Sequence, residues 1–299
     1  MNTLLLISPL VLICVIGYLS VRLKLVNQQQ SNVLAQICFS VLIPLFLFKS
    51  TYQANLSDSI SLPWFASFYV PVVFVFLAGY WVNVTFFKKT QKAATIRALV
   101  GSYSNTVLVA IPILSTILPV ETAAQAFVII GFHSAVLFTL TEILLYGKGL
   151  SALLSGIKNP IVLSIFSGLF CNLIGLPIPQ LIMDPIALLS QSAIALALFG
   201  LGASMNFMPI KGNRFTAISL STTKLMVLPA AVLLFANQFL HLSQEQALIS
   251  VMLTASPTGA ACYLLANQHK ESVDVAATTV VLSTALCPLS YWFWIEYLL

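Results

Sequence analysis

Charge is what this sequence lacks most. Of 299 residues, 13 are Lys or Arg and 8 are Asp or Glu. The acids fall mostly in polar connections, so no paired-carboxylate cluster for acid–base work can be drawn. H-E-x-x-H, G-x-S-x-G and the phosphate-binding G-x-x-x-x-G-K-[ST] are all missing. An intramembrane enzyme is therefore a remote alternative. A receptor would need a soluble signalling domain, and none is written here. The five cysteines (Cys14, Cys38, Cys171, Cys262, Cys287) are odd in number, lie in apolar stretches and form no C-x-x-C. They read as small buried hydrophobes, which argues against a disulfide framework or a metal site. No cofactor motif is present. The first apolar stretch has no basic leader and no small-residue cleavage site, so it is expected to be a retained span. The formal charge of +5 is spread over short loops rather than gathered in a patch, which excludes nucleic acid as an obvious partner.

What is there is apolar length. Hydrophobic residues make up 59% of the chain, at a mean hydropathy of +1.00. Many stretches reach the roughly 20 residues that cross a bilayer as helix. A transmembrane barrel would show short alternating segments instead. The chain reads as an all-α membrane protein of ten transmembrane helices. The first five are expected at about Asn2–Val21, Val33–Phe48, Leu62–Phe87, Thr95–Leu118 and Thr122–Tyr146. The second five are expected at about Ile161–Leu176, Pro185–Phe207, Phe215–Leu240, Gln246–Asn267 and Val273–Tyr297. Eleven of the thirteen Lys and Arg fall in or beside the connections after segments one, three, five, seven and nine. Positive charge marks the cytoplasmic side, so both termini are expected to face away from it, in a cell (inner) membrane. The aromatic cluster Tyr291, Trp292, Trp294 and Tyr297 suits a membrane–water interface.

Ten spans divide as residues 1–146 and 159–299, joined by a polar linker at 147–158. An odd number per half makes the second half run inverted. Weak correspondences support a repeat: Ser8-Pro9 against Asn159-Pro160, and Asn105-Thr106 against Ser256-Pro257, each 151 residues apart.

Two apolar segments are interrupted. Gly101–Leu114 reads G-S-Y-S-N-T-V-L-V-A-I-P-I-L, and Thr254–Ala261 reads T-A-S-P-T-G-A-A. Proline removes a backbone donor, and a freed carbonyl in hydrocarbon needs protein, water or a solute as partner. Interrupted segments in corresponding halves point to a transporter's binding site. The competing structural reading is a pair of Pro-kinked packing helices. Asn105, Thr106, Pro112, Ser256, Pro257, Thr258 and Gly259 are the candidate substrate-binding residues. Gly200 and Gly202 fit small-residue packing better. Three further residues are candidates for a charge or proton role. Lys224 lies about ten residues past Arg214, roughly 15 Å of helix, and either snorkels or sits deep. Glu142 sits near the end of segment five, an interface position. His133 is deeper, and a hydrogen-bonded structural role competes with a proton relay.

The motifs S-N-T-V-L-V-A-I-P-I-L, N-P-I-V-L-S-I-F-S-G-L, A-L-A-L-F-G-L-G-A-S-M, A-S-P-T-G-A-A-C-Y-L-L-A-N-Q and V-V-L-S-T-A-L-C-P-L occur in this order along nearly the whole chain. Together they resemble the auxin efflux carrier family, in its compact bacterial form without a long hydrophilic centre. One departure is Ala110, where that family usually has glycine. The resemblance implies two inverted five-helix repeats. It implies that helices four and nine cross at broken middles near Pro112 and Pro257, with substrate beside the crossing. It also implies a homodimer-forming scaffold of helices 1, 2, 6 and 7, and a moving part of helices 3–5 and 8–10. The implied activity is elevator-type transport of a small organic anion, a carboxylate, coupled to protons or driven by potential. The alternative is a sodium-coupled symporter resembling the bile-acid branch.

Overall fold

The computed structural model describes residues 3–54, 61–147 and 160–299. Twelve helices are found among them: α1 Thr3–Arg22, α2 Gln28–Tyr52, α3 Leu62–Thr85, α4 Gln91–Ser102, α5 Thr106–Ile117 and α6 Val120–Tyr146 in the first half. The second half holds α7 Pro160–Leu173, α8 Gln180–Met205, α9 Arg214–Phe239, α10 Gln244–Ala255, α11 Ala261–His269 and α12 Val273–Leu298. Six of the described helices are long and apolar enough to cross a membrane. The linker expected at 147–158 lies, but for Gly147, outside the described residues.

Local chemistry sets where helices begin. Asn27, Ser61, Thr90, Asn213 and Ser243 each accept a hydrogen bond from an amide in the first turn that follows. These short polar side chains replace acceptors that the helix itself cannot supply. Three of the prolines inside helices follow a widened turn. Pro44, Pro112 and Pro229 each lie two residues beyond a π turn: Cys38–Leu42, Thr106–Ala110 and Thr223–Val227. A proline ring clashes with the carbonyl one turn back, and the wider turn makes room for it. Pro112 therefore stands in the second position of the α-helical stretch Ile111–Ile117, past the break in this span. The expected break near Pro112 is displaced to Tyr103–Asn105.

Element bounds recur along the chain. Gln91–Ser102 and Gln244–Ala255 are each 12 residues long and start 153 residues apart. The same 153 separates the starts of α6 and α12 at Val120 and Val273.

The chain forms two compact units. One comprises Met1–Ile60, Ile111–His133 and Leu154–Phe207; the other comprises Ser61–Ala110, Ser134–Leu153 and Met208–Leu299. The first unit is held by close helix approach. A Cβ on Gly17 would run into the Phe199 carbonyl, and one on Gly202 would run into the Cys14 carbonyl. α1 and α8 thus meet backbone to backbone at two reciprocal points, as small residues allow in membranes. Gly202 has the packing role expected for it.

In the second unit, Trp64 is fully buried and its indole N–H reaches Ser250 Oγ at 3.0 Å and the Gln246 carbonyl at 3.2 Å. This ties α3 to α10. Tyr291 and Trp294 belong to this interior and not to an interface belt: they are 0% and 5% exposed, whereas Trp292 and Tyr297 are 42% and 66% exposed.

Gly17→Ala is expected to cost about 1–3 kcal/mol, read as a lower melting temperature of purified protein. Gly79→Ala is its control: the added Cβ would meet only the Ala98 side of α4, at an ordinary 3.6 Å, and stability should hold or rise.

Candidate functional site

Two helices stop inside the second unit. α4 ends at Ser102 and Tyr103 turns extended (φ −79°, ψ 119°). α10 ends at Ala255 and Ser256 turns extended (φ −64°, ψ 155°). The two extended pieces pair as an isolated antiparallel bridge between Ser104 and Thr258. Asn105 N–H donates to the Pro257 carbonyl at 2.8 Å, and Gly259 N–H donates to the Tyr103 carbonyl at 3.1 Å. Each break thus supplies partners for the other.

The carbonyls at the end of α10 are capped one by one. Met252 accepts from Tyr291 Oη at 3.1 Å, and Leu253 from Ser256 Oγ at 2.8 Å. Thr254 accepts from Lys224 Nζ, and Ala255 from Ser290 Oγ at 3.4 Å. Ser256 accepts from Lys224 Nζ at 2.7 Å. Lys224 is 0% exposed; it sits deep and does not snorkel. Its ammonium stands where the partial negative charge of a helix C-terminus gathers, which favours a cation there. The π turn Thr223–Val227 carries it, and Pro229 has no N–H to offer the Leu225 carbonyl. That carbonyl accepts instead from Ser290 Oγ at 2.9 Å and Trp294 Nε1 at 3.0 Å.

At the end of α4, Thr258 Oγ1 donates to the Val100 carbonyl at 2.9 Å. Thr258 N–H donates to Ser283 Oγ at 3.1 Å. Ser256 and Thr258 hydroxyls are thus both engaged by helix carbonyls, and Pro257 supplies a bridging carbonyl. A Cβ on Gly259 would lie 2.5 Å from the Tyr103 ring. That ring stacks on Phe138 at 5.0 Å between centroids, and its hydroxyl meets Ser134 Oγ at 2.7 Å. Glycine is required here by close approach.

Asn105 differs from these. It is 7% exposed, and its Nδ2 has no hydrogen-bond partner. It stands directly before Thr106, which is 4% exposed and opens α5. The amides of Thr106, Val107 and Leu108 begin that helix and have no acceptor within it. A buried amide donor beside a helix N-terminus is a place where negative charge is stabilised.

The other expected residues lie elsewhere. Glu142 Oε1 is 3.8 Å from His269 Nε2, and His269 Nδ1 meets Tyr146 Oη at 2.9 Å. This cluster joins α6 to the C-terminal end of α11. His133 is buried in α6.

The family model described as "Membrane transport protein" matches residues 4–149 and 148–295. The chain belongs to this family. It is the auxin efflux carrier family that the sequence motifs resemble, and the protein is a multi-pass membrane transporter. An "Uncharacterized transporter" of Methanothermobacter thermautotrophicus is 22% identical over 299 residues, covering 96% of this chain and 95% of the relative. The "Uncharacterized transporter YfdV" of Escherichia coli K12 is 23% identical over 294 residues, covering 92% and 91%.

Sequence reasoning did not single out Tyr103, Ser283 or Ser290. Ser283, Ser290, Tyr291 and Trp294 follow one another at helical spacing, a stripe of donors on one face of α12. That stripe is the signal that would have found Ser283 and Ser290.

Lys224→Met strands two buried carbonyls and is expected to lower stability by about 2 kcal/mol, measured by thermal unfolding in detergent. Gly259→Ala is expected to destabilise as well. Adding Tyr103→Ala should return part of that loss, seen as non-additivity in the double-mutant cycle.

Proposed function

We propose that this protein is a secondary transporter of a small organic anion, a carboxylate, working by elevator-type alternating access. The observation that carries the proposal is the unpartnered Nδ2 of Asn105, buried beside the amide end of α5. A carboxylate there takes the Asn105 donor on one oxygen and the first amides of α5 on the other. These are charge-assisted bonds, each stronger than a neutral one. Thr106 adds a hydroxyl. Ser256, Pro257, Thr258 and Gly259 give the site its shape by fixing the paired breaks. Lys224 contributes positive potential from behind α10 without touching the anion.

Ten spans follow when α4 with α5, and α10 with α11, each count as one span in two pieces. The 153-residue recurrence of element bounds and the family match in two stretches support two inverted five-helix repeats. In this reading helices 1, 2, 6 and 7 are scaffold and homodimer interface, and helices 3–5 and 8–10 are the moving part. The charge asymmetry of the loops supports termini on the non-cytoplasmic side. Coupling is to protons or to the membrane potential. The Glu142–His269 contact is the candidate proton carrier.

The test is uptake by proteoliposomes over a panel of carboxylates. Asn105→Ala should cut uptake by about tenfold or more, the loss of one charge-assisted bond, with the melting temperature kept. Uptake unchanged by Asn105→Ala sinks the site. Uptake that needs a sodium gradient, and ignores a proton gradient and the membrane potential, replaces the coupling with a sodium symport.

A further inference from the structure

A cleft in the same unit, apart from Asn105, is built for a different kind of molecule. It opens between α3, α4 and α9, with a volume of ≈ 290 Å³. Its walls are apolar over most of their length, with Phe74, Val75, Ala78 and Val82 on α3 and Leu220 and Val227 on α9. From Thr216 to Val227 it follows about eleven residues of α9, roughly 16 Å. A narrow apolar slot of that length fits a hydrocarbon chain better than a compact carboxylate.

Arg97 and Asn83 lie in the same cleft. Arg97 Nη1 reaches Asn83 Oδ1 at 3.5 Å, and Nε reaches Ser272 Oγ at 3.3 Å. Both acceptors are neutral and both contacts are long. Among the described residues the contact within 4.0 Å between a basic and an acidic side chain is His269 with Glu142, so no carboxylate answers Arg97. A guanidinium has five donors in a fixed fork and favours phosphate oxygens in pairs. Lys88, Lys89, Lys211 and Arg214 are exposed beside the lining residues Phe87 and Phe215, and Asp274 packs against Gly212 among them, so basic residues outnumber acids at the polar end of the cleft.

We propose that this cleft binds one anionic phospholipid, with an acyl chain along α3 and α9 and the phosphodiester on Arg97. The charge complementarity of the guanidinium and the neighbouring basic residues selects an anionic headgroup over a zwitterionic one. The far wall includes Gly101 and Thr223. Gly101 lies one residue before the end of α4, and Thr223 opens the π turn that carries Lys224. The bound chain thus buttresses the back of the helix break from the lipid side, separate from Asn105.

The experiment is native mass spectrometry of delipidated protein in detergent. It is offered phosphatidylglycerol, phosphatidylcholine with the same acyl chains, oleate and inorganic phosphate in separate arms. The expected result is about a five-fold preference for phosphatidylglycerol over phosphatidylcholine, the share of one basic residue near an anionic headgroup. Oleate and phosphate should be held less well than phosphatidylglycerol. Arg97→Gln should bring the two phospholipids to parity, Arg97→Lys should keep part of the preference, and Ala78→Phe should reduce retention of both. Parity in the unmodified protein overturns the proposal. So does a preference that survives Arg97→Gln, or oleate held as tightly as phosphatidylglycerol. Should Arg97→Gln fail to fold, Ala78→Phe decides, and undiminished retention of phosphatidylglycerol by that variant overturns it.

Discussion

A helix that stops inside hydrocarbon leaves carbonyls and amides with no water to satisfy them, at several kcal/mol for each one left bare. The second unit of this transporter stops two helices and must find partners for both ends. It does so with three devices. The extended pieces pair with each other through the Ser104–Thr258 bridge. Hydroxyls from Ser256, Thr258, Ser290 and Tyr291 take up helix carbonyls. The Lys224 ammonium covers two more. Taken singly, each of these residues resembles membrane-helix polarity with no special purpose. Together they make a break that the bilayer tolerates.

The devices cover the carbonyl ends more fully than the amide end at α5. The carbonyl ends are covered by side chains from α9, α12 and the loop after α10. The amide end at α5 keeps Asn105 beside it with an unanswered donor. Partial negative charge is thereby neutralised within the fold, and partial positive charge is left over. That imbalance gives the break its sign, and it arises without a charged side chain beside Asn105.

Much of this was legible in the sequence. Thr254–Ala261 interrupts its apolar segment where its serine, proline and glycine stand, because a short tight break needs those residues. In Gly101–Leu114 the proline is not the breaking residue. Pro112 only widens a turn, as Pro44 and Pro229 do, and the break falls on Tyr103, Ser104 and Asn105. Tyr291 and Trp294 read as interface aromatics because composition alone cannot distinguish a polar tip meeting water from one meeting a carbonyl. The sequence leaves the depth of Lys224 open for a similar reason. A lysine stem long enough to snorkel is also long enough to reach the next helix. Its partner is a backbone atom, which no residue pattern displays.

The Lys224 contact has a mechanical consequence. Its stem is rooted in α9 and its head is fastened to α10, while Ser290 on α12 holds carbonyls of both α9 and α10. Thr258 adds α4 to the same seam. Sliding any one of these helices past another would unzip several buried bonds at once, with no solvent to soften the loss. The four are therefore sewn into a single rigid cassette, and whatever flexing the protein undergoes has to happen outside it.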